Sequence, residues 1–200
     1  MTHGLINEYI SIDLNSQRPT LDVVSDIITM TPSTEKQTIK TWTNGLYTIS
    51  TDPTLIPLQT LNDWFASDDF YWAKGLPLSA LEQSLQNCLC FGLYHTPDNS
   101  FIGIARCITD HVTFAYITDV YVHPSHQGKG LGRWLVKCIG EATEAMPHLR
   151  RSMLFTMDWE RSVPFYEKVL GMEVAECKRG QGMAMMMRKG RGYPRTMDAE

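Results

Sequence analysis

The most informative segment of the sequence reads Tyr121-Val-His-Pro-Ser-His-Gln-Gly-Lys-Gly-Leu-Gly-Arg133. The run of β-branched and aromatic residues over 112–122 predicts a strand, and Pro124 ends it because proline has no N–H for a sheet. Apolar residues at helical spacing follow the last glycine. They are Leu131, Trp134, Leu135, Cys138 and Ile139. A glycine-rich turn between a strand and a helix directs backbone N–H groups and the helix dipole at an anion. The segment therefore predicts a site for a phosphate or pyrophosphate.

The glycine spacing excludes two common phosphate motifs. The segment lacks the Gly-x-x-x-x-Gly-Lys-Ser/Thr pattern and the Rossmann Gly-x-Gly-x-x-Gly order. It matches Gln/Arg-x-x-Gly-x-Gly/Ala at Gln127, Gly130 and Gly132. With the strand end Val122-His-Pro124 and the later Phe165-Tyr-Glu-Lys-Val-Leu-Gly-Met172, the chain resembles the GNAT superfamily of acyl-CoA-dependent N-acetyltransferases. The resemblance covers roughly residues 45–189.

Length, composition and charge favour a cytoplasmic globular protein. The 200 residues suit one domain, or one domain with an extension, and 43% of them are hydrophobic and 20% charged. A net charge of −4 argues against a general nucleic-acid binder, and no apolar run is long enough to span a membrane. The N-terminus has no signal-peptide pattern. Five cysteines, an odd number, indicate reduced core thiols.

The chain divides into three predicted regions. Residues 1–40 are rich in Ser, Thr, Asn and Asp and predict a weakly packed or partly ordered extension. Residues 41–190 would form the GNAT acetyltransferase domain, and residues 191–200 a C-terminal tail. We expect an α/β fold of the α+β type, in which helices flank a mixed, mostly antiparallel central sheet.

The predicted elements follow the hydrophobic periodicity. Strands are expected at 46–50, 89–94, 101–108, 112–122 and 152–156, with a final hairpin at 173–177 and 183–187. Helices are expected from Pro57, over 79–88 with Ser79 as N-cap, from residue 131, and over 164–170. The resemblance implies that the strands ending at Val122 and near Thr156 splay apart to form the acyl-CoA cleft.

The resemblance also implies the cofactor contacts. The backbone of Val120, Tyr121 and Val122 would pair with the pantetheine arm of acetyl-CoA like an added strand, and the Val122 N–H would stabilise the thioester oxyanion. The pyrophosphate would contact the turn residues Gln127, Gly128, Lys129, Gly130, Leu131, Gly132 and Arg133. Arg161 could meet a phosphate in the region where family members carry an asparagine.

Acetyl transfer from a thioester to an amine needs a base, an oxyanion donor and an acid for the thiolate, but no metal and no bound organic cofactor. The family motif places Tyr166 as the acid, and the alternative is a core aromatic residue. Asp119 is the candidate base because an ionisable residue in an apolar strand needs a partner or a function. Its alternatives are a structural role for Asp119, a water relay, or one of the histidines His111, His123 and His126.

The acceptor side would be built by the first two helices and the loop 67–75. Tyr71, Trp72 and Thr118 are the candidate substrate contacts. Thr118 and Asp119 point to opposite faces of a regular strand, unless a bulge intervenes. We expect a small-molecule primary amine that attacks the thioester directly. A protein lysine or N-terminus, a longer acyl donor, and an acyl-CoA-binding module without catalysis are the alternatives. The final hairpin is a plausible surface for a homodimer.

Overall fold

The computed structural model describes residues 38–175, and within them one mixed sheet forms the centre of the fold. Its six strands follow the order of the chain: β1 (Thr41–Asn44), β2 (Tyr47–Ser50), β3 (Leu89–His95), β4 (Ser100–Thr109), β5 (Phe114–Val122) and β6 (Arg151–Met153). Neighbouring strands are antiparallel except for β5 and β6, which are parallel. The predicted mixed, mostly antiparallel sheet is confirmed.

Helices cover both faces of this sheet. They are α1 (Leu58–Phe65), α2 (Leu78–Gln86), α3 (Leu131–Glu144) and α4 (Ser162–Leu170). The apolar stripes of α1 and α2 pack on one face with Cys90 and Ile104, and the stripe of α3 packs on the other with Phe91 and Leu93. Each face thus has its own buried core, and the strands between them are apolar on both sides. In residues 38–175, no helix is both long enough and apolar enough to cross a membrane.

Several boundaries differ from the sequence prediction. α2 begins at Leu78 after Pro77, with no side-chain cap, so Ser79 is not the N-cap. The sheet also starts earlier than expected, because β1 pairs with β2 through the turn at Gly45, which has φ +58°. The terminal hairpin predicted over 173–187, and with it the expected dimer surface, falls largely outside the described residues. So do the tail and nearly all of the extension over residues 1–40.

The strand β6 is shorter than predicted, and this opens the sheet. Its pairing with β5 ends where Tyr116 lies opposite Met153, whereas β5 continues to Val122. The two parallel strands therefore diverge, and the second half of β5 has no neighbour on that side among the described residues. The splayed strands expected from the resemblance are present.

A β-bulge interrupts β5 just beyond this point. Ile104 pairs with Tyr121, but Arg106 pairs with Thr118, so β5 has one residue more than β4 in this interval. Asp119 lies in the left-handed region at φ +53°, as an extra residue in a bulge often does. The bulge shifts the alternation of side chains by one residue.

The shift changes which side chains share a face. Ile117, Val120 and Val122 all pack with the α3 core. In a regular strand, Ile117 would share a face with Asp119, and Val120 and Val122 would lie on the opposite face. Thr118 and Asp119 both lie on the α1/α2 face. Arg106 points to that face, where it contacts Ser84 on α2; Thr118 is its partner across the sheet, and Asp119 is its partner in an ion pair. The two residues that strict alternation would separate are therefore neighbours.

Gly103 on β4 faces this strand closely, which generates a stability prediction. A Cβ at Gly103 would lie 2.7 Å from the backbone oxygen of Tyr121, and a backbone atom cannot rotate away. We expect Gly103→Ala to lower the free energy of unfolding by about 1–3 kcal/mol, measured by urea denaturation. Gly140→Ala is the control, because its Cβ would meet only the flexible end of Leu170 at 2.9 Å and alanine favours a helix by about 1 kcal/mol. Equal losses in both variants would contradict the prediction.

Candidate active site

An open groove of about 470 Å³ runs from the end of β5 to the start of α3. All of the predicted cofactor residues except Lys129 line it, and Arg161 and Phe165 line it as well. The lining comprises Val120, Tyr121, Val122, Gln127, Gly128, Gly130, Leu131, Gly132, Arg133, Arg161 and Phe165. The phosphate turn and the splayed strand therefore belong to one continuous site.

The α3 end of the groove is built to hold an anion. Gly128 and Gly130 have φ near +76° and +77°, a conformation that costs glycine little. The helix begins at Leu131, and the N–H of Trp134 donates to the carbonyl of Gly130 at 3.0 Å. Helix geometry leaves the N–H groups of residues 131–133 without an intrahelical acceptor. These donors and the positive end of the helix dipole suit a pyrophosphate.

Side chains add positive charge at this end. Arg133 and Arg161 both border the groove, and their contacts with a phosphate stay predictions. Lys129 is turned back instead, and its Nζ donates to the carbonyl of Ser125 at 3.5 Å. The two arginines therefore supply the charge beside the helix N-terminus.

The turn itself is held rigidly to the strand. The side-chain amide of Gln127 donates to the carbonyl oxygen of Val122 at 2.8 Å, and the N–H of His123 donates to Ile102 at 2.8 Å. The ring of His123 contacts the hydroxyl of Ser125 at 2.7 Å. The side chains of Gln127 and His123 thus maintain the shape of the turn.

The hydrogen-bonding register shows which way the Val122 amide points. His123 and Ile102 form a hydrogen-bonded pair, so Val122 and Gly103, the next pair in the register, are a non-hydrogen-bonded pair. The N–H and C=O of Val122 therefore point away from β4 and towards the side from which β6 has diverged. By the same alternation, the C=O of Val120 also points there, because Tyr121 faces β4 as the partner of Ile104. The C=O of Val122 is taken by Gln127, so the N–H of Val122 and the C=O of Val120 face the groove.

Tyr166 lies on α4, close to the groove but partly buried. Its ring packs against the α3 core and meets Phe165, which lines the groove, edge-to-face at 5.0 Å. Burial raises the pKa of Tyr166 to about 12. The phenol is therefore protonated at neutral pH, the state that an acid requires.

Asp119 is buried in an ion pair. One carboxylate oxygen accepts from Nε of Arg106 at 2.6 Å, and the other accepts from the indole N–H of Trp72 at 3.0 Å. Burial alone would lower the pKa of Arg106, but the charge of Asp119 raises it above its ordinary value. Arg106 also donates to the hydroxyl of Ser84 on α2 at 3.2 Å.

The acceptor loop 67–75 lies over the α1/α2 face of β5. Of the candidate substrate residues, Trp72 is bonded to Asp119, Tyr71 is partly exposed and packs edge-on against Trp72 at 4.9 Å, and Thr118 lies beside them on the same face. The hydroxyl of Tyr121 donates to Asp69 at 3.3 Å. Burial, followed by the charge of Asp69, raises the pKa of Tyr121 to about 12.

Sequence reasoning missed two residues of this site. Arg106 gave the same signal as Asp119, a charge inside an apolar strand, and pairing the two predicted strands would have brought the opposite charges together. Phe165 was noted in the sequence only as the first residue of the segment Phe165–Met172, and it was not predicted to line the groove. The histidine alternatives are less well placed. His111 lies at the opposite end of β5 from Val122, about 25 Å of strand away, and His126 lies in the turn beside His95.

Comparisons with known proteins agree with this geometry. Residues 57–172 match the model of the acetyltransferase (GNAT) family. The chain is 39% identical to FG08082 of Gibberella zeae, an acetyltransferase by name, over 76% of this chain and 93% of that protein. A shorter match of 37% identity joins 30% of this chain to 31% of the histone acetyltransferase TAP1 of Glycine max.

A solved structure supports the same conclusion. The crystal structure of a GNAT-family protein from Xanthomonas campestris pv. campestris has a TM-score of 0.61 and 29% identity, and the match covers 73% of this chain and 94% of that one. The fold and site define an acyl-CoA-dependent N-acetyltransferase. The chain belongs to the GNAT family of acetyltransferases, whose acyl donor is acetyl-CoA.

The geometry at Gly132 generates a binding prediction. A Cβ here would make only an ordinary contact with Val122 at 3.9 Å, so a large side chain is accepted by the helix but fills the groove. We expect Gly132→Trp to weaken acetyl-CoA binding at least 30-fold by titration calorimetry, with little change in melting temperature. Glu144→Trp places the same indole at the exposed other end of α3 and should bind like the wild type. Unchanged binding by Gly132→Trp would rule out this groove.

Proposed function

We propose that the protein transfers the acetyl group of acetyl-CoA to a primary amine of a small molecule, by direct attack of the amine on the thioester. The observation that carries the proposal is the free edge of β5. The N–H of Val122 and the C=O of Val120 point into a groove that continues to the N-terminus of α3. A pantetheine arm has amides that can pair with such an edge, and its pyrophosphate then reaches the helix N-terminus.

This placement brings the thioester to the end of β5. The Val122 N–H would donate to the thioester oxygen as negative charge develops there. Holding the thioester and the amine together removes much of the entropic barrier to their reaction. The chain thus contributes orientation and a fixed dipole at the reacting carbonyl.

The thiolate that leaves needs a proton, and we assign its donor as Tyr166. Its phenol is protonated at neutral pH because burial raises the pKa to about 12. Since a thiol is more acidic than this phenol, the proton is donated as the C–S bond breaks, and the phenolate is reprotonated from solvent. The neighbouring Phe165 lines the groove and packs edge-to-face on Tyr166, which places the phenol beside the acyl-CoA site.

For the amine proton, the contacts of Asp119 favour the water relay over direct abstraction. Its carboxylate holds a charge-assisted bond to Arg106 at 2.6 Å and a second bond to Trp72. Protonating this carboxylate would leave the largely buried Arg106 without its counter-charge, which is costly. Water in the open groove can take the proton without that cost.

The acceptor loop supports a small molecule as substrate. It is fastened to β5 through Asp69–Tyr121 and Trp72–Asp119, and Phe70 is buried against Tyr121 at 4.6 Å. A loop held against the strand bounds the acceptor side and leaves less room for an extended chain. Protein lysine is the second candidate, favoured by the match to a histone acetyltransferase.

An amine panel separates these readings. Thiol release from acetyl-CoA would be followed with phenethylamine, hexylamine and a lysine-containing histone tail peptide. We expect turnover with the two small amines and at least tenfold lower kcat/KM with the peptide. The reverse order would establish the protein acetyltransferase, and tight acetyl-CoA binding without turnover on any of them would establish a non-catalytic module.

Tyr166→Phe tests the acid directly. We expect kcat to fall about 100-fold, with the Kd for acetyl-CoA within twofold of the wild type, because the phenol acts on the leaving group and not on binding. The wild-type rate should show no alkaline loss from this group until the pH approaches 12, where the phenol loses its proton. Tyr94→Phe is the matched control, since its hydroxyl is buried without a hydrogen-bond partner in the described structure. Similar kcat values in both variants would remove Tyr166 from the mechanism.

A further inference from the structure

We propose that Arg106, Asp119 and Trp72 form a carboxylate clamp that positions the acceptor loop 67–75 against β5, the strand whose free edge binds acyl-CoA. Asp119 is then a positioning residue that acts through Trp72. The inference rests on the proposed function, because it concerns the acceptor side of that reaction. It assigns roles to Arg106, to the bulge in β5 and to Trp72 that the family resemblance did not supply.

The clamp begins with an unusual backbone conformation. Asp119 is the extra residue of the bulge and has φ +53°, a region that side chains other than glycine rarely occupy. Such strain persists where the surroundings over-determine the conformation. Here the surroundings are the two hydrogen bonds that hold both oxygens of a carboxylate that is only 6% exposed.

Arg106 links this carboxylate to the acceptor-side helices. Its Nη1 donates to Ser84 on α2, and its guanidinium carbon lies 5.9 Å from the ring centre of Phe65 on α1. A guanidinium donates in fixed directions in its plane, so it sets the direction of the carboxylate relative to both helices. Asp119 is thereby held between the helices and the strand.

Trp72 connects the carboxylate of Asp119 to the acceptor loop. Its indole N–H binds the free side of the carboxylate, and its ring packs on Phe70 at 4.8 Å and on Tyr71 at 4.9 Å. Asp119 directly precedes Val120, whose backbone faces the groove. The Trp72–Asp119 bond therefore links the acceptor loop to the strand segment that begins at Val120, and it acts together with the Asp69–Tyr121 contact.

Trp72→Phe tests the clamp with little risk to the fold, because it keeps an aromatic ring and removes only the indole ring portion that carries the N–H. Hydrogen–deuterium exchange of residues 68–75 is the first readout, since it needs no turnover. We expect exchange there to rise about tenfold, the effect of losing one hydrogen bond to a charged group, while the Kd for acetyl-CoA stays within twofold. With phenethylamine as the probe, KM should rise about tenfold and kcat less than threefold.

Trp64→Phe is the matched control. It removes an indole from the same apolar cluster, where Trp64 stacks on Phe101 at 4.7 Å, but leaves the clamp intact. Loop exchange in this variant should stay within twofold of the wild type. Equal exchange in the two variants, whether raised or unchanged, would overturn the clamp, because packing alone would then account for the result.

Asp119→Asn separates positioning from proton abstraction. A positioning role predicts that kcat/KM for phenethylamine falls by the same factor at every pH, so the shape of the pH profile is unchanged. Arg106→Met should raise loop exchange as Trp72→Phe does, and Arg106→Lys should restore part of the protection. Loss of a limb of the pH profile in Asp119→Asn, with loop exchange unaltered, would show a base and overturn the inference.

The outcomes also separate this inference from the proposed function. Failure of the wild type to bind acetyl-CoA would refute the function while the exchange result still decides whether the clamp exists. Tight binding and turnover with no change in loop exchange in Trp72→Phe would refute the clamp alone.

Discussion

The loss of pairing between β5 and β6 after Tyr116 is the constraint on which the rest of the site depends. A parallel neighbour would have consumed the outward N–H and C=O groups of Val120 and Val122. Its divergence leaves the C=O of Val122 to Gln127 and leaves the N–H of Val122 to water or a ligand, and it opens the groove beside them. Because α3 starts only a short turn beyond Val122, the same opening leads directly to the helix N-terminus. The strand edge and the anion site are thus consequences of one change in the sheet.

The bulge at Asp119 determines what the two faces of β5 carry at this opening. Without the extra residue, the alternation that buries Ile117 against α3 would expose Val120 to the acceptor side. With it, Val120 and Val122 pack with the α3 core while Thr118, Asp119 and Tyr121 face the acceptor loop. The bulge therefore separates an apolar face that anchors the strand from a polar face that contacts the loop. The backbone between them is left to bind the acyl donor.

Much of this was legible in the sequence because it is local. The glycines at 128, 130 and 132, the proline at 124 and the helical stripe that follows all act within a few residues, and they predicted the turn and its ligand class. The Asn44-Gly45 pair is an equally local hairpin signal, and applying it would have found β1. The register of β5 against β4 is different, because it depends on side chains 13 residues apart in sequence, Arg106 and Asp119. The sequence analysis gave the bulge only as an alternative to a regular strand. The length of β6 depends on where it separates from β5, and the sequence of either strand alone does not determine that point.

The energetics of the Arg106–Asp119 ion pair indicate what this pair contributes to the protein. Desolvation of two charges cancels much of their attraction, and apolar residues of equal size often stabilise a fold as well or better. The contribution of Arg106 and Asp119 is therefore better sought in geometry than in net stability. Apolar contacts tolerate sliding, whereas the charge-assisted hydrogen bond of 2.6 Å and the indole bond of 3.0 Å fix both distance and direction. Reaction between an amine and a thioester is sensitive to misplacement on the scale of an ångström, so a directional contact between the acceptor loop and the donor strand meets a need that an apolar contact would not.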